Sequence, residues 1–509
     1  MRSARKPLGL RAMAILAALA AAVLAQLGIT AGYGQETPPV DRPPQYQGHG
    51  AKSENMKLLG HDDLQGRSAY QPVIFLNPIR GRWIAYVGHH AGEALNPLTG
   101  DVEPNGTSIV DVTRPRHPRY LAHVPATGGE SGAQMVRICN GRDLPNADDD
   151  KVYMLRANGN VSHQIWDVTR PRNPELVTTV VDGLEGTHKN YWDCKSGLGY
   201  LVSGVSGWRT ERMTQLFDLS NPENPVHIRD FGLTGQEPGA TGEPVPEGVH
   251  GGIQLGNRFY NGHGTGANGV MQILDVEKLR TGDPAPTPAN LTFPQVARMP
   301  LPRFMGAHTT FPVLDIPVKE DAEFQWNTRD IVVISNEATA NECREAHQQV
   351  YLADITDEGF PMVISNYKVR ASEGNFCQRG GRFGSHSSNE NMTPIYYRKM
   401  VFIAYFNAGV RAVDIRDPFH PKEVGKYIPA TTANTDERCL DLDGDGDDDR
   451  CKIAIQTNNL EVDDRGYIYA VDRANTGMHI LNVTGEAKRI ARQPVEPNPD
   501  TGNPLPEGE

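Results

Sequence analysis

Apolar residues along this chain gather in short runs, and one such run returns seven times with the same polar stop. In order it reads Ser108-Ile-Val-Asp111-Val-Thr-Arg-Pro115, Gln164-Ile-Trp-Asp167-Val-Thr-Arg-Pro171 and Gln215-Leu-Phe-Asp218-Leu-Ser-Asn-Pro222. Gln272-Ile-Leu-Asp275, Tyr351-Leu-Ala-Asp354, Arg411-Ala-Val-Asp414 and His479-Ile-Leu-Asn482 follow, with Asn in place of Asp in the last. The copies lie 56, 51, 57, 79, 60 and 68 residues apart, so insertions fall mainly in the fifth and seventh units. Each run is β-rich, its Asp can cap the following turn, and Pro fixes the exit in several copies. A second apolar run lies upstream, as in Lys151-Val-Tyr-Met-Leu155 and Ile331-Val-Val-Ile334, and a further run downstream, as in Glu175-Leu-Val-Thr-Thr-Val180. With one more segment before them, each unit holds four antiparallel strands. Seven such units predict an all-β chain, a seven-bladed β-propeller of four-stranded antiparallel blades. Helical periodicity is nearly absent.

The Ile-Val-Asp-Val-Thr-Arg-Pro phrase resembles the LVIVD repeat of bacterial and archaeal surface or exported proteins, over residues 70 to 490. The resemblance implies the propeller fold and says little about activity, because propellers host unrelated chemistry.

The ends of the chain read differently. Arg2, Arg5, Lys6 and Arg11 precede an apolar run from Ala12 to Ala25, the layout of a secretory signal peptide over residues 1–34. An irregular arm is expected over 35–55, the propeller over 56–495 and a Pro- and Glu-rich tail over 496–509. Removing the four positive charges of the signal takes the formal net charge from −12 to −16, which argues against a nucleic-acid partner. No other long apolar run is present, so the expected product is periplasmic, secreted or at the cell surface, with no span after cleavage. Six cysteines suit that oxidising setting. Cys439 with Cys451, Cys343 with Cys377, and Cys139 with Cys194 is the preferred pairing among the 15 that six cysteines allow.

Candidate chemistry sits in a three-residue frame, Gly-x-His, that recurs as Gly186-Thr-His188, Gly248-Val-His250, Gly306-Ala-His308 and Gly384-Ser-His386. Each frame opens one repeat unit, at the start of what should be the innermost strand. Aligned there, the seven units show Gln71, Gln134, His188, His250, His308, His386 and Asn459. Equivalent places in a closed ring converge on its axis, so four imidazoles should meet, and glycine should let the backbones approach. Neutral imidazole suits iron or copper, with zinc also acceptable. Glu337, Glu390 and Glu461 are candidates to orient the ligands from behind. Two other roles fit the same pattern, namely polar lining of a water-filled channel and capping of inter-blade turns. The arrangement is similar to carotenoid cleavage oxygenases, whose iron is held by four histidines backed by glutamates, and to the selenium-binding and methanethiol-oxidase propellers. That likeness implies redox or oxygen chemistry on a small organic substrate, with no substrate named.

Loops between second and third strands should share that face and carry His89, His90, Arg156, His163, Trp208, Arg209, His263 and Arg473. Elsewhere, Asp441, Asp443, Asp445, Asp447 and Asp449 follow the opening spacing of an EF-hand loop, with Gly446 at the sixth place. Lys452 stands where that loop needs a bidentate Glu, so a structural calcium loop of the secreted type is expected instead. Gly264-Thr-Gly-Ala-Asn-Gly269 fits a dinucleotide fingerprint but leads into a strand rather than a helix. The reading that results is an exported metalloenzyme with one transition metal on the propeller axis. Its alternative is a calcium-stabilised binding propeller without catalysis.

Overall fold

The computed structural model describes residues 49–127, 132–318 and 328–494, so the expected signal peptide, most of the arm and the tail lie outside the described residues. Within them, seven antiparallel sheets succeed one another as blades. Blade 1 comprises Ala69–Asn77, Arg82–His89, Gly106–Asp111 and Arg119–Pro125. Blade 2 comprises Val136–Asn140, Val152–Asn158, Ser162–Asp167 and Glu175–Val181, and blade 3 Asn190–Asp193, Leu198–Ser203, Met213–Asp218 and Val226–Phe231. Blade 4 is Val249–Leu255, Arg258–His263, Val270–Asp275 and Gln295–Pro300, and blade 5 is Thr309–Pro317, Thr328–Ser335, Val350–Asp354 and Met362–Tyr367. Blade 6 is Ser387–Ser388, Met400–Ala404, Val410–Asp414 and Lys422–Ile428. Thr457–Val462, Tyr467–Asp472 and Gly477–Val483 begin blade 7. First strands touch first strands from each blade to the next, and blade 7 returns to blade 1, so the ring is closed.

The patterning explains the layering. Second strands read as continuous apolar runs because neighbouring blades cover both of their faces. Ile84, Ala85, Tyr86 and Val87 are fully buried. Outermost strands such as Glu175–Val181 are half-exposed and more polar. The recurring aspartates do what their position suggests: Asp111, Asp167, Asp218, Asp354 and Asp414 each accept a bond from the backbone N–H two residues on, at 2.8–3.1 Å. Asp275 instead caps the short helix Val276–Thr281 through the Lys278 N–H.

The N-terminal chain closes the ring. Met56–Asp62 pairs with Gly477–Val483 as the fourth strand of blade 7. Lys52–Glu54, inside the segment expected to be irregular, adds a fifth strand to blade 6 by pairing with Lys426 to Ile428. Asn55, between them, adopts the left-handed conformation at φ 51°. Its side chain donates to the Val424 carbonyl at 2.9 Å and its own carbonyl accepts from Thr484 at 2.7 Å. Asn tolerates that backbone region better than most residues, which suits the sharp step between two blades.

Three disulfides form, Cys139–Cys194 between blades 2 and 3, Cys343–Cys377, and Cys439–Cys451 across the hairpin Glu437–Leu440/Arg450–Ile453. No described helix is long and apolar enough to cross a membrane.

Candidate metal centre

The four frame histidines come together at the ring axis. Their backbones are tied to the ends of their own second strands: His188 N–H to the Val202 carbonyl, His308 to Ser335 and His386 to Ala404. His250 occupies a bulge, since pairing steps from Val249–His263 to Gly251–Gly262 and leaves it out. The glycines serve close approach, though to a neighbouring loop rather than at the axis. A Cβ at Gly306 would lie 1.4 Å from the Thr265 carbonyl oxygen of blade 4.

The imidazoles form an arc of ring contacts. Centroids lie 4.6 Å apart for His188–His250, 3.7 Å for His250–His308 and 4.1 Å for His308–His386. Tyr70 fills the gap, 5.1 Å from His188 and 6.0 Å from His386, with its hydroxyl 3.2 Å from His188 Nε2. All five side chains are buried.

Partners set the tautomers. His250 Nδ1 donates to the His308 carbonyl at 3.0 Å, and His386 Nδ1 donates to the Asn458 carbonyl at 2.6 Å. A carbonyl only accepts, so both rings carry their proton on Nδ1 and turn an Nε2 lone pair inward. His308 Nδ1 meets the Thr309 hydroxyl at 2.8 Å, while its Nε2 has no partner; neither has His188 Nδ1. His188 Nε2 lies 2.8 Å from His250 Nε2. Burial drives all four well below the ordinary histidine value, with Arg212 next for His188, Lys189 for His250, the His250 ring for His308 and Arg473 for His386. Neutral rings with converging lone pairs are what a borderline-soft cation requires.

Glu337 joins this group directly. One carboxylate oxygen lies within 4.8 Å of ligand atoms on both His250 and His308, and Oε1 is 3.7 Å from His386 Nε2 and 3.0 Å from Arg382. It therefore stands level with the imidazoles, where the sequence suggested a place behind them. Glu390 and Glu461 make no hydrogen bond to the histidines. Glu390 pairs with Arg137 and, at 3.0 Å, with Lys189. Burial alone would raise it, but Lys189 and Arg137 hold it at about 2. Glu461 accepts the backbone N–H groups of Glu390, Asn391 and Val462. Burial pushes it up to about 8, with the Asn391 N–H opposing and the Glu390 charge adding. A small cavity links the two levels, lined by His308, Thr309, Lys189, Arg137 and Glu390.

Several residues escaped the sequence alignment. Pairing in blade 1 steps from Ala69–His89 to Gln71–Gly88, so Tyr70 is the bulged counterpart of His250 and Gln71 is one residue out of phase. Gln71 instead meets Asn459, and Asn458 supplies the carbonyl for His386. No spacing in the sequence distinguishes a bulge of this kind. Of the loop candidates, His90 reaches the site, edge-on to Tyr70 at 5.2 Å, and Arg473 lies near enough for its charge to act on His386. His89 bonds Ser108, Arg156 bonds Gln164 and two carbonyls, and Arg209 bonds Glu243, each within the scaffold.

In the acidic loop, Asp441, Asp443 and Asp445 bring carboxylate oxygens within 4.8 Å of one another. Gly444 and Gly446 donate backbone N–H bonds to Asp441 and hold its carboxyl below the usual range. Asp447 donates its N–H to Asp445, and Asp449 accepts from Leu442. Lys452 is buried against Glu342 at 2.9 Å.

The fold defines the class: a seven-bladed β-propeller with a buried histidine cluster on its axis. No family model matches the chain and no curated protein matches it. Among solved structures it is similar to the β-propeller domain of Myceliophteria thermophila Cps50 (Swd1), at 9% identity and a TM-score of 0.46, over 85% of this chain and 100% of that one. The LVIVD resemblance therefore rests on the repeat residues themselves.

Proposed function

We propose that this protein is an exported metalloenzyme. His188, His250, His308 and His386, with Glu337 beside them, would hold one transition metal, iron or copper ahead of zinc. The observation that carries the reading is the inward Nε2 of His250 and His308, buried, neutral and, for His308, without a partner. Partnerless imidazole nitrogens occur elsewhere in the fold, as at His163, but His308 stands with His250 and Glu337, a ligand atom of each within 4.8 Å of the others. Such a metal supplies Lewis-acid or redox chemistry to a small organic substrate. The protein's own residues would hold His250 and His386 as Nδ1–H tautomers and place Tyr70 and His90 beside the ring. Three disulfides support an oxidising, extracytoplasmic setting, and the repeat supports membership of the LVIVD group. The clustered carboxylates of Asp441, Asp443 and Asp445 support a structural calcium on the hairpin Glu437–Leu440/Arg450–Ile453, with Asp447 and Asp449 on the same loop.

Elemental analysis of chelator-rinsed protein tests the reading. Near-stoichiometric iron or copper in the wild type, absent in His250→Ala, is expected. Calcium alone, equal in both proteins, would replace it with the binding-propeller reading, in which the histidines only line the channel.

A further inference from the structure

Above the histidine ring, on the face where second strands end, three arginines converge on Tyr70 and Glu337. Arg382 is engaged: it bonds Glu337 at 3.0 Å and the Ala338 carbonyl at 3.2 Å, with its guanidinium over Phe406. Arg212 and Arg473 are not. Each is only half-exposed, yet neither guanidinium makes a hydrogen bond or ion pair with any described residue.

They bracket the ring from opposite sides. Arg212 ends the blade 3 loop and packs over two of the histidine frames: a Cβ at Gly186 would lie 4.0 Å from its Nε, and one at Gly248 3.4 Å from its Cβ. Arg473 comes from the blade 7 loop, whose course is pinned by bonds from Ser68 and Arg438 to the Arg473 carbonyl, both at 2.8 Å. Ser68 is also 3.3 Å from His90, the ring beside Tyr70. Three cations therefore stand about the Glu337 carboxylate, with the exposed Glu211 beside Arg212 as the further acid, in a chain whose formal net charge is −12. The Tyr70 hydroxyl cannot balance them, because burial raises it far above its ordinary value.

We propose that this mouth is an anion subsite, in which Arg212 and Arg473 hold the carboxylate of a small organic acid over the histidine ring. Two partly exposed guanidiniums with no protein partner, beside a third cation, leave a positive mouth that a bidentate anion fits. Burial first, and then Arg382, presses the Arg473 guanidinium down to about 10, which agrees with a cation waiting for a counter-ion. The proposal names the substrate class of the site described above. It relies on the metal reading for the reaction but not for the binding.

The test uses acetate, benzoate and inorganic phosphate, with acetamide and benzamide as uncharged matches. Calorimetric titrations are run on metal-loaded and on chelator-rinsed full-length protein. Benzoate or acetate should bind the wild type at least tenfold more tightly than its amide, and R212Q and R473Q should each lose that preference while keeping wild-type metal content. R212K and R473K keep the charge but lose the fork, so weakened rather than abolished binding is expected of them. Phosphate binding in preference to both carboxylates would overturn the carboxylate assignment. Equal binding of acids and amides, or wild-type binding by R212Q and R473Q, would overturn the subsite altogether. Loss of metal in the wild type with the anion preference intact would sink the metal reading and leave the subsite standing.

Discussion

His188 and His250 meet edge-on across the boundary of blades 3 and 4, with their Nε2 atoms 2.8 Å apart. His250 donates its Nδ1–H to the His308 carbonyl, so the Nε2 of the neutral ring can only accept. His188 therefore donates from its own Nε2, and a cation placed between the two rings would have to displace that proton.

Glu337 is expected to tune the affinity of this centre. Glu337→Gln preserves shape and removes the charge level with the rings. Metal affinity should fall on the order of 10- to 100-fold, as for supporting groups at other metal sites. Competition with a chromophoric chelator reads the change, and an unaltered affinity would remove Glu337 from the site.

Tyr70 faces the open side of the cluster. Tyr70→Phe should leave metal stoichiometry at the wild-type level, because the four imidazoles remain. With iron or copper bound, the visible absorption should shift as the hydroxyl beside His188 is lost. A spectrum identical to the wild type would mean that Tyr70 only fills space.

Ring closure depends on Asn55. Asn55→Ala loses a hydrogen bond to Val424 and places a less tolerant residue at positive φ, together costing about 2 kcal/mol. Asn55→Gly should recover the backbone part and cost about 1 kcal/mol. Urea unfolding midpoints at constant m separate the two.

Calcium should raise the melting temperature of the wild type in the millimolar range. Asp443→Ala should not respond, since it removes one of the three carboxylates that already converge. An equal rise in both proteins would place the calcium elsewhere.

Stability should carry a pH signature from Glu461. Burial raises its folded value to about 8 from an unfolded value near 4.5, so the folded state holds the extra proton between those limits. That contribution is fully present below about 4.5 and is lost as pH rises through about 8. Glu461→Gln keeps an acceptor for the Asn391 N–H and should flatten the decline. Denaturant melts between pH 5 and 8 that fall equally in both proteins would assign the slope to other groups.

Much of this protein was legible before folding. Six runs ending in Asp and one ending in Asn specify seven blades because each is a local object, a strand followed by a capped turn or helix, settled within ten residues. The Gly-x-His frames likewise locate four imidazoles, since equivalent positions in a closed ring must face one another. What the linear pattern does not contain is the phase at a bulge. Tyr70 rather than Gln71 enters the cluster because one residue of the innermost strand drops out of the ladder, and only the pairing with His89 and Gly88 decides which. Of the arginines at the mouth, Arg473 is legible as a loop residue of that face, whereas Arg212 and Arg382 are not, for a related reason. Arg212, Arg382 and Arg473 come from loops 91 residues apart or more, with no shared spacing, and only the closed ring brings their charges to one place. Local propensity and repetition determined the blades and the four histidines; the tertiary structure decided the tautomers, the fifth aromatic ring and the charge that surrounds them, because each of these depends on what a distant blade presents.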